Sequence, residues 1–169
     1  MPHLKRALSL LYWAPAAVLL TELCTVKRVS GRSMQPTLNP DSSLLWRDVG
    51  IFDRYSIHTR HRRGDIVVLK SPENPRYELI KRIIAIEGDT VYTRPPYLVR
   101  EVRIPKNHVW VEGDGFHSQD SNSFGPVPLG LVDSRLLCLI WPVWRLGSPT
   151  GPVTPNLHSR VTPARSKCV

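Results

Sequence analysis

The sequence predicts a mainly β domain of antiparallel sheets, preceded by a single N-terminal apolar helix. Three observations carry that expectation. Between residues 26 and 141, short apolar runs recur about every ten residues with Gly, Pro, Asn or Asp between them. No stretch separating those runs has helical periodicity, which disfavours alternating strand–helix units. Ahead of them lies an uncharged stretch, residues 7–21, framed by Lys5 and Arg6 on one side and Lys27 and Arg28 on the other.

Extended through residues 23–26 and interrupted only by Glu22, the uncharged stretch approaches the roughly 20 apolar residues that cross a bilayer. Pro15 in its middle is tolerated in membrane helices better than in soluble ones. A cleaved targeting segment or a core helix would use a similar composition, but no small-x-small cleavage site precedes the β domain. Residues 1–25 are therefore read as a membrane anchor. Lys5 and Arg6 favour an N-terminus left on the more negative side, with the rest of the chain translocated.

The β domain is placed at residues 26–144, with strands expected at 44–46, 65–69, 78–86, 90–93, 99–104, 109–112 and 136–141. Turn chemistry separates them at Arg63-Gly64-Asp65, Glu87-Gly88-Asp89, Arg94-Pro95-Pro96 and Glu112-Gly113-Asp114-Gly115. From residue 145 to 169, prolines recur with Gly, Ser and Thr and apolar periodicity is lost, which predicts a mostly disordered tail.

Composition removes several function classes. The 23 Lys and Arg against 14 Asp and Glu leave a formal charge of +9. These cations are scattered, without the aromatic interleaving or repeated modules of nucleic-acid readers, so no nucleic-acid partner is expected. Cys24, Cys138 and Cys168 are far apart and follow no ligand spacing, and the six histidines are dispersed. Neither a metal site, a cofactor nor a disulfide framework is implied.

Three stretches carry chemistry. In Ser30-Gly31-Arg32-Ser33-Met34-Gln35-Pro36-Thr37-Leu38 a serine stands on a turn stiffened by glycine and proline, a plausible nucleophile and equally an ordinary surface turn. In residues 78–86, period-two alternation puts Leu79, Lys81, Ile83 and Ala85 on one face and Ile80, Arg82, Ile84 and Ile86 on the other. Both faces are apolar apart from one cation each, so at least one cation is drawn inward. Lysine is the better candidate for function, because a desolvated ammonium can lose its proton and a guanidinium cannot. Lys81 could then serve Ser33 as general base, or could snorkel to the sheet edge and pair with an acid. The third stretch, residues 113–128, is a polar loop rich in Gly and Ser that could bring Ser118 and Asp120 beside that pair. His108 or His117 acting on Ser33 is the rival dyad.

Together these stretches resemble the type I signal peptidase family. Residues 31–38 are similar to its nucleophile box, Arg63-Gly64-Asp65-Ile66-Val67-Val68 to the strand box that follows, and residues 80–89 to its lysine box. Gly113-Asp114, Ser118-x-Asp120-Ser121 and Gly125-Pro126-Val127-Pro128 are similar to the last box. Within the family the resemblance is closest to the mitochondrial inner membrane protease and its second subunit, because Asn122 stands where bacterial members and the first subunit carry arginine.

The resemblance implies a signal-peptidase-like β fold and a serine endopeptidase with catalytic Ser33 and Lys81, supported by Ser118 and Asp120. It implies preprotein substrates with cleavable sorting peptides and small side chains near the cut. It also implies a paralogous partner subunit and a place in the mitochondrial inner membrane facing the intermembrane space. A non-catalytic scaffold subunit is the alternative. Gly31 replaces a serine whose hydroxyl helps hold the oxyanion in some bacterial members, which leaves the Ser33 backbone N–H as the donor that can be named.

Overall fold

The computed structural model describes residues 23–41, 43, 45–57, 59–115, 118–147, 149 and 160–164. They form a seven-stranded sheet and a three-stranded sheet in which every strand pair is antiparallel. The strands are β1 (Cys24–Arg28), β2 (Val49–Asp53), β3 (Ile66–Lys70), β4 (Glu78–Ala85), β5 (Thr90–Tyr92), β6 (Glu101–Arg103), β7 (His108–Glu112), β8 (Val127–Pro128), β9 (Val132–Trp141) and β10 (Val161–Thr162). The larger sheet runs β1-β2-β9-β3-β4-β7-β8 and the smaller β10-β5-β6. One short helix, α1 (Ser121–Phe124), and two 3-10 turns complete the described chain.

Alternation along β4 separates two hydrophobic clusters. Ile80 packs with Val29, Met34, Leu38, Phe52 and Val68. Leu79 and Ile83 pack on the other side with Val67, Leu69, Val109 and Val111. The register of β4 against β7 then slips between Ile83 and Ala85. An extra residue at that point carries Ile84 and Ala85 into a third cluster with Val91, Ile104 and Trp110, beneath the smaller sheet. Central position and burial on both faces are what a nearly continuous apolar run predicts.

Several expectations are corrected. Leu45 and Trp46 form an exposed bend rather than a strand, and the Trp46 ring lies on Trp141 with centroids 5.6 Å apart. The neighbouring strand is β2, overlooked because its sequence, Val-Gly-Ile-Phe-Asp, has glycine at an inward position. Glycine is required there, since a Cβ on Gly50 would stand 2.5 Å from Leu136 Cδ1. Residues 24 and 25, assigned to the end of the anchor, belong to β1 and pair with Asp53 and Phe52. The tail also contributes structure, because Val161 and Thr162 pair with Val91 and Thr90. The rest of the expected anchor, residues 1–22, lies outside the described residues, as do residues 150–159 and 165–169 of the tail. Among the described residues no helix is long and apolar enough to cross a membrane.

Phe52 is fully buried in the first cluster. Phe52→Ala should cost about 3–5 kcal/mol, because little around the ring can collapse into the space it leaves. Denaturant unfolding of the two proteins measures that difference directly.

Candidate active site

The turn bearing Ser33 follows β1 and is held at several points. Gly31 adopts φ 89°, a conformation that side chains with a Cβ resist, so a serine at this position would be strained. Leu38 N donates to the Met34 carbonyl at 2.8 Å, and Met34 and Leu38 are both buried in the first cluster. Met34 is thus a core residue. Asn39 and Asp48 exchange two bonds of 2.8 Å, from Asn39 N to Asp48 Oδ2 and from Asp48 N to Asn39 Oδ1. Arg145 closes the frame by donating to Asp48 Oδ2 at 2.6 Å and to the Thr37 carbonyl at 2.5 Å. Ser33 itself is half-buried. Its hydroxyl donates to the Ile80 carbonyl at 3.5 Å, and its backbone N–H meets no acceptor among the described residues.

Lys81 and Arg82 are both buried, 2% and 4% exposed, so both cations of the strand are drawn inside. Their environments differ sharply. Arg82 holds Asp114 with two bonds, 2.9 Å from Nε and 2.6 Å from Nη2, and donates to the Gly64 carbonyl at 2.9 Å. This is a bidentate, mutually buried ion pair. Lys81 donates to Ser118 Oγ at 2.7 Å and has no carboxylate within ion-pair distance among the described residues. Burial therefore pushes its ammonium down to about 8, with the Asp120 carboxylate opposing the shift. At pH 7.5 roughly a quarter of Lys81 is free amine, against about 0.1% for a lysine in water.

The polar loop joins the two stretches. Gly115 N donates to the Ser33 carbonyl at 2.9 Å. A Cβ on Gly113 would stand 2.5 Å from Ser118 Cβ and closer still to Ser118 Oγ and the Ser33 carbonyl. One on Gly115 would stand 2.6 Å from the Arg32 carbonyl. Two glycines thus let three backbone segments meet. Asp120 caps α1, accepting from the backbone and side-chain nitrogens of Asn122 at 3.0 Å each, and from Gly113 N at 3.2 Å.

Ser33 and Lys81 line one cleft of about 410 Å³ together with Gly31, Glu78, Ile80 and Gln119. No hydrogen bond joins the two side chains among the described residues; the lysine engages Ser118 and the serine engages the residue before the lysine. His108 opens β7 and approaches the Lys106 carbonyl at 2.9 Å, four residues and about 13 Å along the strand from Glu112. His117 lies outside the described residues. The Arg82 to Asp114 clamp and the Arg145 strut were not found from sequence, although the Gly-Asp-Gly triplet was visible as a turn.

A buried unpaired ammonium costs stability. The unfolded chain keeps the Lys81 proton to about pH 10.5, whereas the folded protein releases it from about pH 8. The cost is therefore complete below pH 8, fades through that interval and is gone above it. Lys81→Met should stabilise the protein at pH 7 by about 2 kcal/mol after loss of the Ser118 bond, and the gain should shrink as pH rises toward 10.5. Unfolding curves at pH 7 and pH 10 measure it, and a variant less stable than wild type at pH 7 would contradict the assignment of an uncompensated cation.

Comparison with known proteins places the chain in a family. Residues 4–98, more than half of the chain, match the family described as "Signal peptidase, peptidase S26", a span that includes Ser33 and Lys81 and stops before the loop carrying Ser118. The mitochondrial inner membrane protease subunit 2 of Danio rerio is 49% identical over 137 residues, covering 79% of this chain and 74% of its own. That of Schizosaccharomyces pombe is 39% identical over 145 residues, covering 85% and 79%. Subunit 1 of the Homo sapiens protease is 38% identical over 129 residues, covering 72% and 75%. With identity at this level across most of each chain, the protein belongs to the peptidase S26 signal peptidase family.

Proposed function

We propose that this chain is a membrane-anchored serine endopeptidase that removes sorting peptides from proteins delivered to the mitochondrial intermembrane space. It acts as one catalytic subunit of a complex with a paralogous chain. The apolar segment ahead of β1 supplies the anchor and the β domain faces the intermembrane space. The observation that carries the chemistry is Lys81, buried, without an acid partner among the described residues and with its pKa lowered to about 8, in one cleft with Ser33. The names of its relatives support the location and the paired subunit.

In this mechanism neutral Lys81 takes the Ser33 hydroxyl proton as Oγ attacks the scissile carbonyl. The Ser33 N–H, with no acceptor among the described residues, stabilises the oxyanion. Collapse of the tetrahedral intermediate breaks the peptide bond, and Lys81 delivers the proton to the leaving amine. Water then attacks the acyl-enzyme, with Lys81 again accepting a proton, and releases Ser33. Ser118 orients the amine by the bond it already makes. The direct contact between Ser33 and Lys81 forms as substrate closes the cleft, since catalytic hydrogen bonds are often loose in the free enzyme.

Substrate binds as an added strand. β4 pairs with β3 from Lys70 opposite Glu78 to Ile66 opposite Arg82, whereas β7 joins its other side only from Arg82 onward. Glu78, Leu79 and Ile80 therefore keep one open edge toward Gly31 and Ser33, along which an extended peptide can pair.

Ser33→Ala and Lys81→Ala, each co-expressed with the partner subunit, should lower preprotein cleavage by at least about 10³-fold while the chains still fold. Normal maturation in both variants would instead identify a non-catalytic scaffold. Because the base must be neutral, kcat/KM should rise with pH on an apparent pKa of about 8. Asp120 opposes the depression of Lys81, so Asp120→Asn should move that acidic limb to lower pH. A limb that stays in place would remove Asp120 from the electrostatics of the base.

A further inference from the structure

Glu112, at the end of β7, is a buried charge, 4% exposed, that the proposed chemistry does not use. Its carboxylate is ringed by donors. Trp110 Nε1 donates to Oε1 at 2.9 Å and Asn122 Nδ2 to the same oxygen at 3.1 Å. Arg160 donates to Oε2 at 2.6 Å and to Oε1 at 3.3 Å, and it also reaches the Tyr92 carbonyl at 3.0 Å. Arg94 stands farther off, 3.9 Å from Oε2. Burial alone would raise the carboxyl above its ordinary range, but the Arg160 bonds and charge, with the Trp110 and Asn122 bonds, hold it below.

Arg160 comes from the far end of the sequence and is placed by its own strand. Tyr92 N donates to the Arg160 carbonyl at 2.9 Å, and Val161 packs against the cluster that contains Trp110. Two residues beyond β10, Ala164 N donates to Asp89 Oδ1 at 3.0 Å. Asp89 is fully buried and also holds Arg63 through bonds of 2.7 and 2.6 Å. The segment is therefore seated at both ends.

From Glu112 a series of hydrogen bonds leads through Asn122 and Asp120 to Gly113, whose backbone packs beside the cleft residues. Asn122 Nδ2 bridges Glu112 Oε1 and Asp120 Oδ1, and Asn122 Oδ1 accepts from Arg94 N at 2.8 Å. Asp120 holds Gly113 N, and Gly113 lies against both Ser118 Oγ and the Ser33 carbonyl. Removing the guanidinium would leave a buried carboxylate with Trp110 and Asn122 as neutral donors and the distant Arg94 as its nearest cation among the described residues, with Asp120 as its like-charged neighbour across Asn122. Such a group either protonates or pulls its surroundings apart to reach water. Either response disturbs Asn122 and, through it, the loop that orients Lys81.

We propose that Arg160 is a positioning residue for peptide cleavage: through Glu112, Asn122 and Asp120 it holds the loop whose Ser118 orients Lys81, so that the C-terminal strand is part of the active-site scaffold. The inference rests on the peptidase reading above. Its expected signature is kinetic, because Arg160 does not reach the open edge of β4 where substrate pairs.

The test uses the full chain in complex with its partner subunit and a peptide spanning a preprotein cleavage site. Arg160→Ala should lower kcat by about 10- to 100-fold, the scale of a misplaced catalytic group, with KM within about twofold of wild type. Arg160→Lys, which keeps the charge but not the forked geometry, should recover a large part of that loss. In a Glu112→Gln background, which has no carboxylate to neutralise, Arg160→Ala should produce little further change. Should Arg160→Ala fail to accumulate, Arg160→Gln, which retains the stem and a donor, replaces it, with thermal unfolding run alongside.

Wild-type kcat in these variants overturns the proposal. So does an equal loss in both Glu112 backgrounds, or a loss that tracks only the unfolded fraction and is not recovered by lysine. Parallel Ser33→Ala and Lys81→Ala complexes separate the two failures. Cleavage by those variants defeats the peptidase reading, whereas their inactivity beside a fully active Arg160→Ala defeats only the role of Arg160.

Discussion

The organising constraint of this protein is the burial of two adjacent cations on opposite faces of one central strand. Taking an ammonium or a guanidinium out of water costs several kcal/mol unless a partner replaces the lost hydration. The chain answers that cost in two different ways. Arg82 receives a bidentate carboxylate from Asp114 and a backbone carbonyl from Gly64. Lys81 receives one neutral hydroxyl, from Ser118. The asymmetry follows from the side chains, since guanidinium stays protonated wherever it is placed and must be matched, whereas a buried ammonium left unmatched gives up its proton more readily and is partly free amine near neutral pH.

The matched cation also builds the site for the unmatched one. Asp114 lies between Gly113 and Gly115, so its pairing with Arg82 fixes the segment at which the Ser33 turn, the Ser118 loop and β4 converge. Glycine on either side is a steric necessity there, because a Cβ at either position would run into the carbonyl of Arg32 or Ser33. The Ser33 turn is braced independently from beneath by Met34 and Leu38 and from the side by Asp48, Asn39 and Arg145. Rigid support of this kind is what the proposed nucleophile and base need to be held in one cleft.

Another buried charge, Glu112, two residues before Asp114, repeats the theme at the point where β7 enters the same loop. Its principal partner comes from Arg160, 48 residues away in sequence. The smaller sheet, in which the C-terminal strand lies beside β5, is thereby tied to the larger one through an ion pair as well as through the cluster around Trp110. Under the proposed chemistry stability and function oppose each other at Lys81, where an apolar replacement would favour the fold and deprive the cleft of its base.

The β class, most strand positions and the candidate residues were legible in the sequence, because period-two alternation, turn chemistry and a run such as residues 78–86 report local preferences directly. Ser33 and Lys81 stood out for the same reason: a serine on a Gly- and Pro-stiffened turn and a lysine in an apolar strand are local anomalies. β2 was hidden by an inward glycine whose meaning depends on Leu136, and β10 by the Pro-rich composition around it. Neither the pairing of Arg82 with Asp114 nor that of Arg160 with Glu112 has a local signature, since each joins residues whose proximity is created by strand order. Sequence alone determined that one or both of two neighbouring cations had to be buried. Only the tertiary structure decided that Arg82 would be neutralised and Lys81 left to lose its proton, because that choice rests on which carboxylate the folded loop delivers to each face of β4.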